Sequence, residues 1–242
     1  MKNATLDSFL RNAGCLHTRM VCGKQQRQKT PRSALADFTV TAKRQLPIDL
    51  LRQQASTRVA DLLPIRHARM GANPFAFFRG SAALMAHDLS TLPSPRIRVQ
   101  LCGDMHVSNF GFFSTTERQL VFGINDFDET LPGHFDWDLK RLAASAMIAA
   151  ENLGQDRIYG ARIIRLMMHT YRTRLAEYAH TPYLELARSF IDERALLAEG
   201  ARINSKALRF VKKHIAKARK NTNLGVIDKL TTANSGMKCN FE

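Results

Sequence analysis

The segment "CGDMHVSNFGFF" (102–113) places Asp104, His106 and Asn109 within six positions, and "INDFDE" (124–129) adds Asp126, Asp128 and Glu129. Asp136 and Asp138 follow closely, so six acids fall between 104 and 138 besides Glu117, whose neighbour Arg118 is the only full positive charge between 104 and 135. Two carboxylates brought to ~4 Å repel by about 4 kcal/mol at an effective dielectric of about 20. Such a grouping must be offset by raised pKa values, by ion pairs to Lys140, Arg141 or Arg79, or by a bound divalent cation. Carboxylate and amide oxygens without a thiolate suit Mg²⁺ or Mn²⁺.

Asp104 and Asn109 are five residues apart on a segment that leaves one predicted strand and enters the next. That is the D-x-x-x-x-N spacing of base and metal ligand in a kinase catalytic loop. Asp126, followed directly by Phe127 at the end of a later strand, stands where the second metal ligand would. In this arrangement Asp104 accepts the proton of an attacking hydroxyl, while Asn109 and Asp126 hold a Mg²⁺ that bridges nucleotide phosphates. Asp128 is a further ligand or a supporting group. His106 is read as a hydrogen-bonding group that shapes the loop. Asp138 is read as a helix N-terminal charge that also braces the loop. Arg79 is either an anion clamp or a structural partner of one of these carboxylates.

The elements that must position these residues follow from patterning. "RIRVQLC" (96–102), "NFGFF" (109–113) and "QLVFGI" (119–124) read as strands, with "STTER" as the turn between the last two. Residues 47–70 carry apolar positions at helical spacing up to Pro64, "NPFAFFRG" (73–80) reads as an aromatic turn, and 81–92 as a short helix after a Ser cap. Helices are expected at 136–152, 156–180, 182–199 and 201–220. The fold class is therefore α+β and mostly helical, with a small antiparallel β element carrying the catalytic loop. A basic arm over 1–45, with "GKQQRQKTPRS" (23–33) as loop, precedes one domain over 46–242. That domain has a helical lead-in (46–95), a β and loop segment (96–135) and a helical remainder (136–242).

The chain of 242 residues has a formal net charge of +15 from 36 Lys+Arg and 21 Asp+Glu. The charge is uneven: +11 over 1–100, −4 over 101–200 and +8 over 201–242. The basic face of the 201–220 helix, with Arg202, Lys206, Arg209, Lys213, Lys217 and Lys220, is either a solvated helix face or a patch for an anionic partner. No apolar run approaches a membrane span, and the N-terminus lacks the apolar stretch of a signal peptide, so a cytoplasmic protein without membrane contact is expected. Cys15, Cys22, Cys102 and Cys239 have no zinc-like spacing, and Cys102 reads as a buried small hydrophobe.

The segments "RMGANPFAFFRGSAALMAHDL", "VQLCGDMHVSNFGFF", "LVFGINDFDETLPG" and "DWDLKRLAAS" resemble an uncharacterised bacterial family, the domain of unknown function numbered 2252. The resemblance runs from about Pro31 to the C-terminus. It implies a protein-kinase-like large-lobe core related to aminoglycoside-phosphotransferase-like folds. It also implies Asp104 at the base position and Asn109 and Asp126 at the metal positions, with ATP or another nucleotide as donor and an unspecified acceptor. The family pattern has Asp where this chain has Gly123 and Pro where it has His134. Family members continue into a Gly-rich "GVGSVG"-like turn and a "VKEA"-like strand. This chain stops at "KLTTANSGMKCNFE", and "VTAK" (40–43) is only a faint echo of a nucleotide lysine strand. The resemblance thus implies a shortened homologue with poor nucleotide affinity, possessing the site and not necessarily the activity.

Two other classes compete. "GDMH" also opens the metal-dependent phosphoesterase pattern, in which Asp104 and His106 would ligate one metal ion. That pattern needs later Asn-His or Gly-His pairs; Gly133-His134 is one Gly-His pair, while His169, His180 and His214 lack those contexts. The other is a non-enzymatic basic protein that binds nucleic acid or an acidic partner through residues 1–45 and 201–220.

Overall fold

The computed structural model describes residues 15–39 and 44–220. "VTAK" and Cys239 lie outside the described residues. The chain is mostly helical with small antiparallel sheets, and it divides into two compact units. The first contains Met1–Asn109 and Asp126–Ala187; the second contains Phe110–Asn125 and Arg188–Glu242.

In the first unit, helix α1 (Leu16–Lys29) covers most of the segment expected as an arm or loop. Its Gln, Arg and Lys residues are good helix formers, which explains the difference. The stretch expected as one helix is broken into α2 (Pro47–Ala55) and α3 (Leu63–Met70), with a 3₁₀ turn at Ala60–Leu62. Pro64 stands in the first turn of α3 and starts that helix rather than ending its predecessor. A missing N–H is harmless in a first turn, where no helical acceptor exists.

The aromatic "turn" is helix α4 (Pro74–Gly80). Asn73 accepts the Ala76 N–H at 2.8 Å, and Pro74 follows as the first helical residue, so Asn-Pro here is a cap and a start. Helix α5 (Ala82–Ser90) forms as expected, but the Ser81 hydroxyl does not cap it and instead donates to Phe78 O.

Strand β1 (Arg98–Leu101) pairs antiparallel with β4 (Leu131–His134), aligning Leu101 with Leu131. The sequence gives no signal for β4, because "LPGH" carries Pro and Gly and no alternation. Gly133 leaves room for the Leu101 side chain: a Cβ there would stand 2.4 Å from Leu101 Cδ1. The chain then enters α6 (Phe135–Asn152), which packs against α7 (Arg157–Tyr178). A short helix, α8 (Tyr183–Ala187), completes the unit. Leu101, Cys102, Met105, Ala146 and Ala150 are buried in it.

In the second unit, β2 (Phe110–Ser114) and β3 (Leu120–Ile124) form the expected hairpin. Arg118 turns it with φ of 60°. β3 also pairs with a two-residue strand, β5 (Ile191–Asp192), inside the region expected to be helical. Helices α9 (Glu193–Ile203) and α10 (Ser205–Lys220) pack on each other, and Val121 and Ile215 are buried. No helix among the described residues is long and apolar enough to cross a membrane.

Candidate functional site

The loop after β1 is held open by a glycine. Gly103 has φ of +87°, and a Cβ on it would lie 1.9 Å from the Glu129 carbonyl oxygen. Only glycine therefore lets the 102–109 loop lie against the 126–130 loop. Asp138, in the first turn of α6, fixes the same point. Its carboxylate accepts the N–H of Cys102 at 2.7 Å and of Gly103 at 3.1 Å, which is the bracing expected of it. Burial pushes the Asp138 carboxyl above its ordinary value, although the two N–H groups and Arg141 pull the other way.

Asn109 ends the loop in a 3₁₀ turn and is buried. Its Nδ2 donates to Asp104 O at 3.2 Å, to Asp126 O at 3.1 Å and to Cys102 Sγ at 3.3 Å. The Cys102 thiol in turn donates to Asp126 O at 3.3 Å. Burial, with Asp138 adding to it, pushes that thiol up to about 11, so it remains protonated at neutral pH. Ser145 on α6, fully buried, accepts the Val107 N–H at 3.1 Å. These contacts tie together the loops that carry Asp104 and Asp126.

Asp104 points one oxygen at Arg141. Nε of Arg141 donates to Oδ1 at 2.7 Å, and Nη2 donates to the same oxygen. Arg141 is 2% exposed, and its guanidinium lies 4.3 Å over the Phe78 ring and also donates to Phe78 O at 2.8 Å. Oδ2 has no arginine partner among the described residues and stands 3.6 Å from His106 Nε2. His106 is buried, and burial pushes its pKa below 6.5; Asp104 partly offsets this, while Arg79 and Arg141 add to it. Burial thus works against an ion pair with Asp104 and against the charged imidazole. Its Nδ1 has no hydrogen-bond partner among the described residues.

A cavity of about 840 Å³ opens in the first unit, and Asp104, His106, Asp126 and Arg79 all line it. Asn109, Asp128 and Asp138 do not line it: Asn109 and Asp138 support the loop from behind, and Asp128 is exposed, its N–H donating to Asp126 Oδ1 at 3.2 Å. The six acids thus do not converge on one point. Asp136 accepts the Ser94 hydroxyl at 2.7 Å and pairs with Lys140 at 2.9 Å, and Glu129 lies 3.9 Å from Arg58. Of the partners expected to offset the acids, Lys140 and Arg141 act, and Arg79 forms no ion pair with the described residues.

Sequence reasoning missed the rest of the cavity wall, where Arg58, Arg66 and Arg69 stand beside Arg79. The i, i+3 pair Arg66 and Arg69 on one face of α3 was the available signal. Arg66 Nη2 donates to Gly80 O at 2.6 Å, and burial, with neighbouring Arg58, pushes its pKa down.

The oxygen donors are of the type a hard cation takes. Of the expected metal positions, Asp126 is exposed at the cavity, while Asn109 is buried behind the loop with its Nδ2 committed to the protein and does not line the cavity. Among the described residues no group of three or more His, Cys, Asp or Glu could hold an ion. An ion here would draw its remaining ligands from phosphate and water, as Mg²⁺ commonly does.

Residues 58–242 match the model of a family described as an uncharacterized protein conserved in bacteria (DUF2252), and the chain belongs to that family. The match begins later than the Pro31 expected. No curated protein matches the chain, and no solved structure does.

Proposed function

We propose that this chain carries the acceptor-activating half of a kinase-like, Mg²⁺-dependent phosphotransferase site. The observation that supports it is Asp104: a carboxylate in a D-x-x-x-x-N loop, clamped through Oδ1 by Arg141, with Oδ2 unclamped, at a cavity that Asp126 also lines. A hydroxyl entering that cavity gives its proton to Asp104 Oδ2 as its oxygen bonds to phosphorus. The bond from phosphorus to the leaving oxygen of the nucleotide breaks in the same transfer. Arg141 does not touch substrate; it fixes which oxygen is offered. Asp126 would hold Mg²⁺, with Asp128 in support and Asn109 bracing the Asp126 loop from behind, and the ion would supply charge neutralisation and alignment of the phosphates.

The test is phosphate transfer from ATP with Mg²⁺ by the full chain, together with Asp104→Asn and Asp104→Glu. A base contributes about 10²–10⁴ in rate, so both variants should fall by that order. A wild-type chain that neither transfers phosphate nor gains melting temperature with ATP and Mg²⁺ would overturn the reading, as would full activity in folded Asp104→Asn.

The proximity of His106 to Asp104 in one cavity supports the second reading, a metal-dependent phosphoesterase. Mn²⁺-dependent phosphomonoester hydrolysis that disappears in His106→Ala would move the assignment there.

A further inference from the structure

The cavity wall is a guanidinium wall. Arg58, Arg66, Arg69 and Arg79 line it, against the carboxylates of Asp104 and Asp126, and Asp104 is already matched by Arg141 from behind. The side chains of Arg69 and Arg79 make no hydrogen bond or ion pair with the described residues, and both residues are exposed. Arg66 is held by a carbonyl, not a carboxylate, and the Arg58 side chain has, among the described residues, Glu129 at 3.9 Å. Four arginines set against Asp126, Glu129 and an Asp104 already matched by Arg141 leave an excess of positive charge at the cavity, which a bound anion offsets.

Guanidinium groups are planar forks that match a phosphate's oxygens in pairs. An ammonium-bearing acceptor would be repelled here, and a neutral sugar would leave these donors to water. The remaining wall includes Val59, Leu62 and Ile65, which suits a carbon skeleton. The volume of about 840 Å³ is that of a small-molecule pocket.

We infer that the acceptor at this cavity is itself a phosphate ester: an alcohol whose existing phosphate is gripped by Arg66, Arg69 and Arg79 while its hydroxyl faces Asp104. The acceptor role rests on the proposed function; the anion site rests on the arginines alone.

Titration calorimetry on the full chain at low salt separates the two. The probes are glycerol 3-phosphate, glycerol, inorganic phosphate and ATP with Mg²⁺. Glycerol 3-phosphate and inorganic phosphate should bind and glycerol should not. The Arg69→Gln/Arg79→Gln double variant, whose melting temperature should match the wild type, should weaken both by about tenfold or more. ATP with Mg²⁺ should not displace glycerol 3-phosphate. The inference is overturned if neither phosphate compound binds, if the double variant binds them as tightly as wild type, or if ATP competes directly, which would give the arginines to the donor. Phosphate binding that survives with no transfer under any condition removes the base role of Asp104 and, with it, the acceptor assignment, while leaving an anion site.

Discussion

Helix α10 in the second unit and the cavity wall in the first are both rich in cations, but they hold them differently. On α10, Arg209, Lys212, Lys213, Lys217 and Lys220 stand on an exposed helix surface, and Arg219 is paired with Glu193 at 3.0 Å. Salt screens such charges within a Debye length of ~10 Å. In the cavity the cations are arginines, they face a shared space, and one buried arginine orients a carboxylate at its edge. Concavity and fixed partners separate a site from a charged face. The count of charges does not, because both regions contribute to the same net +15.

The sharpest way to break this contrast is Arg141→Ala. Removing one partner of a buried ion pair leaves Asp104 uncompensated and should destabilise the fold by about 3–5 kcal/mol in urea unfolding. A loss below ~1 kcal/mol would mean that the clamp is dispensable, and the contrast would collapse.

A smaller effect concerns pH. The His106 pKa lies below its unfolded value of 6.5, so on acidification the unfolded chain takes up a proton that the folded chain resists. This contribution to stability is complete above pH ~6.5 and is lost as pH falls towards the folded value. Wild type should therefore lose stability over that interval more steeply than His106→Gln, as read from unfolding midpoints at a series of pH values. Parallel curves would show that the imidazole is not held neutral by its surroundings.

The smallest expected effect is on α10. Lys213→Gln/Lys217→Gln should change stability by no more than about 0.5 kcal/mol, as is usual for exposed surface positions. Its weakening of duplex DNA binding, if the chain binds duplex, should vanish as salt rises. A variant that also abolished phosphate-ester binding would erase the distinction between the two cation clusters.

Local signals are legible where local physics decides the structure. β1, the β2–β3 hairpin, the start of α6 and the bracing role of Asp138 follow from alternation, turn residues and the position of an acid in a first helical turn. Pro64 and "NPFAFFRG" mislead because proline both ends helices and begins them, and only the packing of α3 and α4 decides which. β4 exists because β1 offers it an edge, which "LPGH" does not announce. At the site, the loop residues are legible from their spacing. The partner of Asp104 is not, since Lys140, Arg141 and Arg79 are equivalent on paper, and it is tertiary contacts that place Arg141 against Phe78 and Asp104 and Lys140 against Asp136. The arginine wall is not legible either, because it draws on α3, α4 and the segment before α3, and their meeting is tertiary.

The amide nitrogen of Asn109 serves acceptors in two different loops at once. An aspartate in its place would present lone pairs to two carbonyls and part the stretches of chain it joins. The asparagine of the D-x-x-x-x-N spacing is thus a seam, joining two loops whether or not the cavity beside them does chemistry.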